Sequence, residues 1–416
     1  MYIKAFRFNL QELGGALGDL GALLPLAIAL ITLNRMNATS VFLIVGLAYI
    51  ISGLYYRLPM PVQPLKTVAA IAIASSLSPN IISAAGLIMA VFLFLMAATG
   101  AITKIAGLFP KMIIRGIQLG VGLLLIRAGL FLINKNEVVI QGDEGFVTLV
   151  NLAIPAGWLI AIALGIVFVL SLRSERFPGS LVLLALGIPV SMFWGSSLGL
   201  SSLHFGLNLP TLVIPSLSDL SAALVLLVIP QIPLTLGNAV FATADTAKEY
   251  YGTQAERVTL KSLLTTMGLV NMGAGLFNGM PICHGAGGLT AHYRLGARTG
   301  GAALLIGIPL LLISVVFDGN VVPIFTLIPY AVLGVLVIFV GLQHSFLVRD
   351  LQSPKEVIIA LAVAIPGLLT KSLAIGLASG ISLYLLLNAP SIKRSIVSKY
   401  SSLAGQRLSS MQETHK

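Results

Sequence analysis

Long apolar runs follow one another along nearly the whole chain, and charged residues interrupt them only rarely. Many of these runs approach the roughly 20 residues that a helix needs to cross a bilayer. Only 9% of the 416 residues are charged, which is too few to give a water-soluble protein of this length a polar surface. The chain is therefore expected to be an all-α polytopic membrane protein.

The apolar runs predict about fourteen membrane spans of unequal length. The chain has 42 glycines and 20 prolines, and many lie inside the runs, which is typical of close helix contacts and broken helices in a bilayer. The third and tenth spans are short and rich in Gly and Pro. The predicted span centres lie near Leu24, Gly46, Ile71, Phe92, Leu123, Leu164, Gly187, Pro233, Gly268, Leu289, Ile308, Val332, Ala362 and Tyr384.

The basic residues lie mainly in alternate connections between the predicted spans. If both termini are cytoplasmic, the cytoplasmic segments hold twenty of the 25 Lys and Arg residues, whereas the opposite connections hold only Arg35, Lys135 and Lys371. Positive residues concentrate on the cytoplasmic side of membrane proteins. The net charge of +11 therefore reflects topology and not nucleic acid binding. We expect a multi-pass protein of the cell membrane with both termini in the cytoplasm.

A short motif occurs once in each half of the chain. Met60-Pro61-Val62-Gln63 opens the third span after Gly53-Leu54-Tyr55, and Met280-Pro281-Ile282-Cys283 opens the tenth after Gly275-Leu276-Phe277. Chance recurrence of Met-Pro is the simpler alternative. Seven spans separate the two motifs, and an odd number turns the second half upside down, as in many secondary transporters. The pattern predicts two inverted seven-span repeats.

Prolines predict an extended segment before each of the two short spans. Pro59 and Pro61 disfavour a helix before about Gln63, and Pro64 suits the first helical position. After Pro281, the segment from Cys283 to Gly288 leaves backbone N–H groups uncovered. The two half-helices are expected to meet near the membrane midplane with both N-termini facing one point. Each end carries about half a positive charge, so the expected ligand is an anion.

Four blocks of sequence stand out between the apolar runs: ELGGALGDLG at 12–21, MPVQPLKT at 60–67, PQIPLTLGNAV at 230–240 and PICHGAGGL at 281–289. These blocks resemble the high-affinity molybdate transporters related to the SulP sulfate permeases. The resemblance implies a core domain of residues 1–105 and 220–318 that moves against a gate domain of residues 106–219 and 319–390. Residues 391–416 would form a basic cytoplasmic tail. The sequence has no C-terminal STAS domain, which the molybdate group also lacks, and this favours molybdate over sulfate.

The resemblance and the inverted repeat together predict a secondary active transporter. Its substrate would be a tetrahedral oxyanion, molybdate first, with tungstate competing and sulfate weaker, carried by alternating access with proton symport. A sulfate transporter, a nucleobase permease and an anion channel are the alternatives. The expected partners are the anion, membrane lipids and a second copy of the chain, without nucleic acid. No cofactor, metal site or enzymatic activity is predicted, because no base–nucleophile or metal-ligand set lies at a workable spacing.

Three polar residues at the start of the third span are candidates for anion binding. Lys66 is a cation at the positive end of a helix dipole, which is costly unless an anion is near. It would either offset one charge of the substrate or pair with Asp19. Gln63 and Thr67 would either donate hydrogen bonds to the anion or cap the helix.

A second set of candidates comes from the eighth and tenth spans. Gln231 and Asn238 lie seven residues apart with Thr235 between them, so they would share one helix face that lines a cavity or joins helices. In the tenth span the substrate-binding candidates are Cys283, His284, Gly285, Ala286 and Gly287.

Two ionisable residues are candidates for proton coupling. Asp19 lies within the first apolar run, where an ionisable side chain is a functional candidate. His284 would either take up a proton with the anion or serve as a neutral hydrogen-bond donor or packing residue. Cys283 is adjacent to His284, but neighbouring residues of an extended segment point to opposite sides, so a catalytic dyad is not expected.

Overall fold

The computed structural model describes residues 6–106, 109–138, 145–149, 152–172, 179–193, 206, 210–316 and 327–388. The described chain is mostly helical. In the first half the elements are α1 Leu10–Leu33, α2 Ala38–Tyr56, β1 Gln63–Pro64, α3 Lys66–Ser75, α4 Pro79–Thr99, α5 Ile102–Ala106, α6 Lys111–Ile133, β2 Phe146–Leu149, β3 Leu152–Pro155, α7 Ala156–Ser171 and α8 Gly179–Phe193.

The second half consists of helices and one short strand. Its elements are α9 Leu217–Ala223, α10 Ile229–Leu234, α11 Thr243–Tyr251, α12 Leu260–Leu276, β4 Ile282–Cys283, α13 Ala286–Arg294, α14 Gly301–Val316, α15 Tyr330–Phe346, α16 Pro354–Thr370 and α17 Leu373–Asn388. Two π-helical segments, Leu224–Val228 and Thr235–Ala242, join α9, α10 and α11 into one long helix.

Six helices of the described chain are long and apolar enough to cross a membrane: Leu10–Leu33, Ala38–Tyr56, Pro79–Thr99, Lys111–Ile133, Leu217–Ala255 and Tyr330–Asp350. Several shorter apolar helices accompany them. Each of the predicted span centres lies in a helix. The expectation of a helical, multi-pass membrane protein is therefore confirmed at this level.

The sequence also dictates where several helices begin. Asn9 and Asn37 accept hydrogen bonds from the backbone N–H groups of the first turns of α1 and α2. Ser78 does the same for α4, and Pro79 takes the first helical position, where no N–H group is needed. These caps satisfy backbone donors that would otherwise be exposed at the helix starts.

Glycines bring several pairs of helices into backbone contact. A Cβ atom on Gly129 of α6 would lie 2.5 Å from the carbonyl oxygen of Gly334 in α15, and a Cβ on Gly334 would lie 2.7 Å from that of Gly129. Gly46 of α2 and Gly307 of α14 face each other in the same way. Close approach through small residues is the usual packing mode of helices in lipid.

Two details of the predicted fold are corrected. The described chain is not purely helical, because β1 pairs with β4 and β2 pairs with β3 in two small antiparallel sheets. The third span does not become helical at Pro64, which lies in β1, but at Lys66. The reason is that the extended segment before α3 finds a backbone partner in the corresponding segment before α13.

Candidate anion-binding site

The strand pair β1–β4 joins the two broken spans. Gln63 lies opposite Cys283 and Pro64 opposite Ile282, and the N–H group of Leu65 donates to the carbonyl oxygen of Pro281 at 2.9 Å. Each strand leads directly into a short helix, α3 after β1 and α13 after β4. The pairing therefore fixes the starts of both half-helices against each other.

Three polar side chains converge beside the start of α13. A Cβ atom built on Gly285 would lie 3.1 Å from Gln63 Oε1, 3.4 Å from Asn238 Nδ2 and 3.7 Å from Lys66 Nζ. These side chains come from β1, the second π-helical segment and α3. The glycine is what leaves room for all three tips at one point.

A cavity of about 680 Å³ opens onto this cluster. One wall is built by α1, α3 and α13 together with Asn238, and the opposite wall by α6, α7, α8 and α15. Among the described residues the lining includes a lysine and no carboxylate. The polar and glycine members of the lining are Gly18, Gly21, Gln63, Lys66, Gln118, Gly179, Ser180, Asn238, Gly287, Gln343 and His344.

Lys66 provides the positive charge of the wall that α1, α3 and α13 form. Its side chain is 8% exposed, and no carboxylate of the described chain lies within 4.0 Å of its ammonium group. Lys66 therefore does not form the ion pair with Asp19 that was the alternative. A nearly buried cation without an ionic partner is costly in a membrane protein, so binding of an anion beside it is favourable.

The start of α3 is closed by a side chain, contrary to the expectation of two open helix ends. Gln231 Oε1 accepts from the N–H groups of Thr67 at 2.9 Å and Val68 at 3.4 Å, while its Nε2 donates to Thr235 Oγ1 at 2.9 Å. Gln231, Thr235 and Thr67 are buried outside the cavity lining. They form a capping cluster behind the site.

The stripe predicted along the eighth span is interrupted for a physical reason. The second π-helical segment begins at Thr235, between Gln231 and Asn238. A π-helix needs more residues per turn than an α-helix, so residues seven apart no longer share a face. Asn238 reaches the cavity, whereas Gln231 turns toward α3.

The start of α13 is the open helix end. The N–H groups of Gly288 and Leu289 bond to the carbonyl oxygen of Gly285, at 3.0 and 3.3 Å. Ala286 and Gly287 precede them at the start of the helix, where backbone donors have no acceptor within the helix. Gly287 lines the cavity, and a Cβ on it would meet no atom within 4 Å. The geometry leaves room for an oxyanion to approach the backbone donors here.

His284 and Cys283 lie behind the site and do not line it. The carbonyl oxygen of Pro61 lies 2.8 Å from His284 Nδ1, so this nitrogen must carry the hydrogen, and Nε2 lies 3.1 Å from Thr266 Oγ1. Both ring nitrogens of this fully buried residue are occupied, which fits the structural alternative for His284 and not the proton carrier. The thiol of Cys283 points at the carbonyl oxygen of Pro64, 3.7 Å away.

Asp19 is fully buried at the centre of a hydrogen-bond network. Its carboxylate accepts from Tyr49 OH at 2.5 Å, from the N–H group of Val62 at 3.1 Å and from Gln63 Nε2 at 2.5 Å. One hydrogen of the Gln63 amide is thus donated to Asp19, and the carbonyl oxygen of this side chain faces the cluster beside Gly285. Gln63 therefore joins Asp19 to the cluster.

Several residues of the site were not predicted from the sequence. His292 of α13 is fully buried with Nε2 3.6 Å from Asp19 Oδ2. The wall opposite Lys66 carries Gln118, Gln343 and His344. Gln118 interrupts an apolar run of α6, which is a signal that sequence reasoning can use. His292 gives no such signal, because 273 residues separate it from its partner.

Comparison with known proteins identifies the family. Residues 11–125 and 223–343 match the profile of a family described as "Molybdate transporter of MFS superfamily". The chain belongs to this molybdate transporter family. The matched segments contain α1 to α4 and most of α6, and the second half from the first π-helical segment to most of α15, which includes both broken spans. The resemblance stated from the sequence is confirmed.

Curated members of the molybdate transporter family are similar over most of their length. Molybdate transporter 2 of Arabidopsis thaliana is 30% identical over 94% of this chain and 90% of its own. Molybdate transporter 1 of Chlamydomonas reinhardtii is 28% identical over 85% of this chain and 87% of its own. A probable sulfate transporter of Mycobacterium tuberculosis is 26% identical over 60% of this chain and 44% of its own.

Solved structures agree on the fold. The transmembrane domain of the cyanobacterial bicarbonate transporter BicA superposes with a TM-score of 0.64 at 19% identity, covering 88% of this chain and 96% of that one. Murine Slc26a9 in its inward-facing state has a TM-score of 0.64 at 17% identity, covering 94% and 70%. The fold of this molybdate transporter family member is thus that of SulP-type anion transporters.

These comparisons also decide the broad functional class. The relatives and the structural neighbours are transporters and not enzymes, which confirms that part of the prediction. The comparisons support the assignment of this chain as a multi-pass membrane protein that transports an anion.

Proposed function

We propose that this family member is a secondary active transporter that binds molybdate between the cluster beside Gly285 and the open end of α13. The observation that carries the proposal is Lys66, which lines the cavity with no carboxylate of the described chain within 4.0 Å. A dianion that leaves water loses most of its hydration, and one helix end supplies only about half a charge. Lys66 and Asn238 Nδ2 supply further donors at the same point.

The wall opposite Lys66 would complete the coordination. Arg115 Nη1 donates to Gln118 Oε1 at 2.8 Å, which fixes the carbonyl side of this amide and leaves its NH₂ group free to donate. Gln343 and His344 line the same wall. An oxyanion held between two walls with hydrogen-bond donors on both is suited to a carrier in which the walls move apart.

The proposed architecture is two inverted repeats of seven spans. In it, α2 and α4 correspond to α12 and α14, and α3 corresponds to α13. The observed packing fits this symmetry, because α2 packs on α14 and α4 packs on α12. The repeat partners α6 and α15 also pack on each other. Symmetry-related pairs of contacts are the packing that an inverted repeat produces.

Alternating access would come from movement of the core domain, residues 1–105 and 220–318, against the gate domain, residues 106–219 and 319–390. The cavity separates these two units, since its first wall belongs to the core segments and its second to the gate segments. The cavity lining includes Leu172, Leu295 and Leu347, and basic residues such as Arg294 and Arg349 are close to them in the sequence. Because basic residues concentrate on the cytoplasmic side of the membrane, the cavity opens to the cytoplasm. Residues 391–416, the proposed cytoplasmic tail, lie outside the described residues.

The test is calorimetric titration of the purified protein with molybdate, tungstate, sulfate and uracil. Molybdate should bind most tightly, tungstate should compete with it, and sulfate should bind more weakly. Sulfate is the second candidate because of the similarity to the probable sulfate transporter. Uracil should not bind, since no carboxylate of the described chain lines the cavity to hold a base. Binding of uracil as tight as that of tungstate would refute the proposal.

A further inference from the structure

A buried acid–imidazole pair lies directly behind the wall of the cavity. Asp19 is on α1 between Gly18 and Gly21, which both line the cavity, and His292 is on α13 next to Ala291, which also lines it. Both side chains are fully buried, and His292 Nε2 lies 3.6 Å from Asp19 Oδ2. The pair therefore connects two elements of the core-side wall without touching the cavity itself.

The hydrogen bonds around His292 determine where a proton would go. Its Nδ1 lies 2.8 Å from the carbonyl oxygen of Gly15, which can only accept, so Nδ1 carries a hydrogen in either charge state. In the neutral ring, Nε2 then turns a lone pair toward the carboxylate of Asp19. Adding a proton to Nε2 converts this repulsion into an ion pair. Nε2 of His292 is thus a proton-binding position that faces Asp19.

The carboxylate of Asp19 is held ionised by its other contacts. Three donors bond to it: the hydroxyl of Tyr49, the N–H group of Val62 and the amide of Gln63. A carboxylate with three donors is favoured over its protonated form. The proton of the pair therefore belongs to His292, and the pair is neutral when protonated and carries one negative charge when not.

One side chain links the pair to the anion cluster. Gln63 donates to Asp19 with Nε2 and presents Oε1 beside Gly285, near the tips of Lys66 and Asn238. Gly288 of α13 packs on the same junction, since a Cβ there would lie 2.5 Å from Asp19 Oδ1 and 2.6 Å from Gln63 Nε2. A change in the charge of the pair therefore changes the electrostatic potential at the cluster. The two are joined by the amide of Gln63 and by the close contact of Gly288 with Asp19.

Other ionisable groups lie around the pair on several elements of the described chain. Tyr49 contacts it from α2, Lys66 and His344 face the cavity from α3 and α15, and Cys283 and His284 lie behind β1. On its outer side α13 meets α11, and the titratable and charged residues of α11, α13 and the following loop are Asp245, Lys248, Glu249, Tyr250, Tyr251, Tyr293, Arg294 and Arg298. Glu12 of α1 is engaged by the backbone N–H groups of Arg298 and Thr299.

We propose that Asp19 and His292 form the proton-binding site of this transporter and that His292 takes up one proton at Nε2 together with the anion. This inference rests on the proposed function. Without the anion, Lys66 already gives the site one positive charge and a second proton is disfavoured. A bound dianion reverses that balance, so the anion and the proton each strengthen binding of the other.

The test counts protons taken up when the full-length protein binds molybdate. Calorimetric titrations are run in two buffers with different ionisation enthalpies, at a pH where molybdate is fully ionised. The wild type should take up close to one proton per molybdate, and its affinity should rise as pH falls, by at most about tenfold per pH unit for one linked proton. The variant His292→Gln should still bind molybdate but take up none, and Asp19→Asn should lose the same uptake.

A control variant and a competing candidate separate this site from the other buried imidazoles. His284→Gln removes an imidazole that lies behind the site and should keep the proton uptake of the wild type. His344 lines the cavity and would contact the anion, so His344→Gln tests the competing candidate for proton uptake and is not a control. Molybdate binding by the wild type without proton uptake would refute the inference and leave the proposed function intact. Full uptake in His292→Gln, or its loss only in His344→Gln, would also refute it. Failure of the wild type to bind molybdate would refute the proposed function itself.

Discussion

Single residues decide the chemistry of the cavity, and Lys66 has the largest electrostatic part. A cation at the first turn of a helix faces the positive end of the dipole, so its placement there is unfavourable unless the site binds an anion. Its tip lies with those of Asn238 and Gln63 beside Gly285, where no side chain occupies the space.

Replacing Lys66 with glutamine should weaken molybdate binding by about 10- to 100-fold. The change removes a charge-assisted contact, which is worth about 1.5–3 kcal/mol, and keeps a polar side chain of similar length. Calorimetric titration measures the effect. Lys371→Gln is the matched control, because Lys371 is exposed and lies outside the cavity lining. Normal binding by Lys66→Gln would mean that the lysine has only a structural part.

Gly285→Ala tests the space at the cluster. The backbone of Gly285 has φ −85° and ψ 135°, which any residue adopts, so the variant introduces no backbone strain. The added methyl group would lie 3.1 Å from Gln63 Oε1 and displace the polar tips. Overpacking of this kind costs about 1–3 kcal/mol, so the affinity for molybdate should fall by about 5- to 100-fold.

The control for this variant is Gly165→Ala, where a Cβ would lie 4.0 Å from the nearest side chain. It should bind molybdate with the affinity of the wild type. Equal affinity in Gly285→Ala would place the anion elsewhere in the cavity.

At the scale of elements, the two half-helices differ although the sequence repeats. The start of α13 opens to the cavity at Gly287, whereas Gln231 closes the start of α3. Each helix contributes differently as a result: α13 offers backbone donors and α3 offers the side chain of Lys66. The asymmetry gives the site one permanent charge and one adaptable backbone surface.

Gln231→Leu should lower the free energy of unfolding by about 1–3 kcal/mol, because the buried N–H groups of Thr67 and Val68 lose their acceptor. Thermal unfolding of the purified protein without substrate measures the change. Gln254→Leu, at an exposed position in the 3₁₀ turn after α11, is the control and should change stability by less than about 0.5 kcal/mol. Equal stability of the two variants would show that the cap is dispensable.

The sequence predicts the elements of this site better than their contacts. Prolines and glycines mark both broken spans because they act locally on the backbone. Of the predicted substrate-binding residues, the cavity lining contains Gln63, Lys66, Asn238 and Gly287. The direction of Gln231 depends on a π-helical segment that leaves no clear pattern in the residues. The pairing of Asp19 with His292 depends on packing between distant helices, which periodicity along one segment does not contain.

For the whole molecule, the decisive property is the side from which the cavity is reached. The cavity separates the proposed core and gate segments, and its lining includes residues near the basic end of the helices. Access from one side only is what distinguishes a carrier from an open pore.

A cysteine at Gln343, an exposed position of the lining, tests this access. The background is Cys283→Ser, since Cys283 is the only cysteine. A membrane-impermeant maleimide should modify Gln343→Cys in inside-out vesicles and not in right-side-out vesicles, and molybdate should slow the reaction. Lys371→Cys, in the opposite connection, should react only in right-side-out vesicles. The reverse pattern for the two cysteines would invert the proposed topology.

The joining of β1 to β4 has a consequence for biosynthesis. Cys283 and Pro64, in contact at this joint, are 219 residues apart, so most of the chain must be made before the two broken spans meet. Until then Asp19 is in the membrane without His292 and Lys66 is there without the neighbouring side chain of Asn238, and charges in lipid are costly. The protein therefore depends most on the insertion machinery while only its first half has been made. If synthesis stops before α13, we expect the incomplete chain to be degraded.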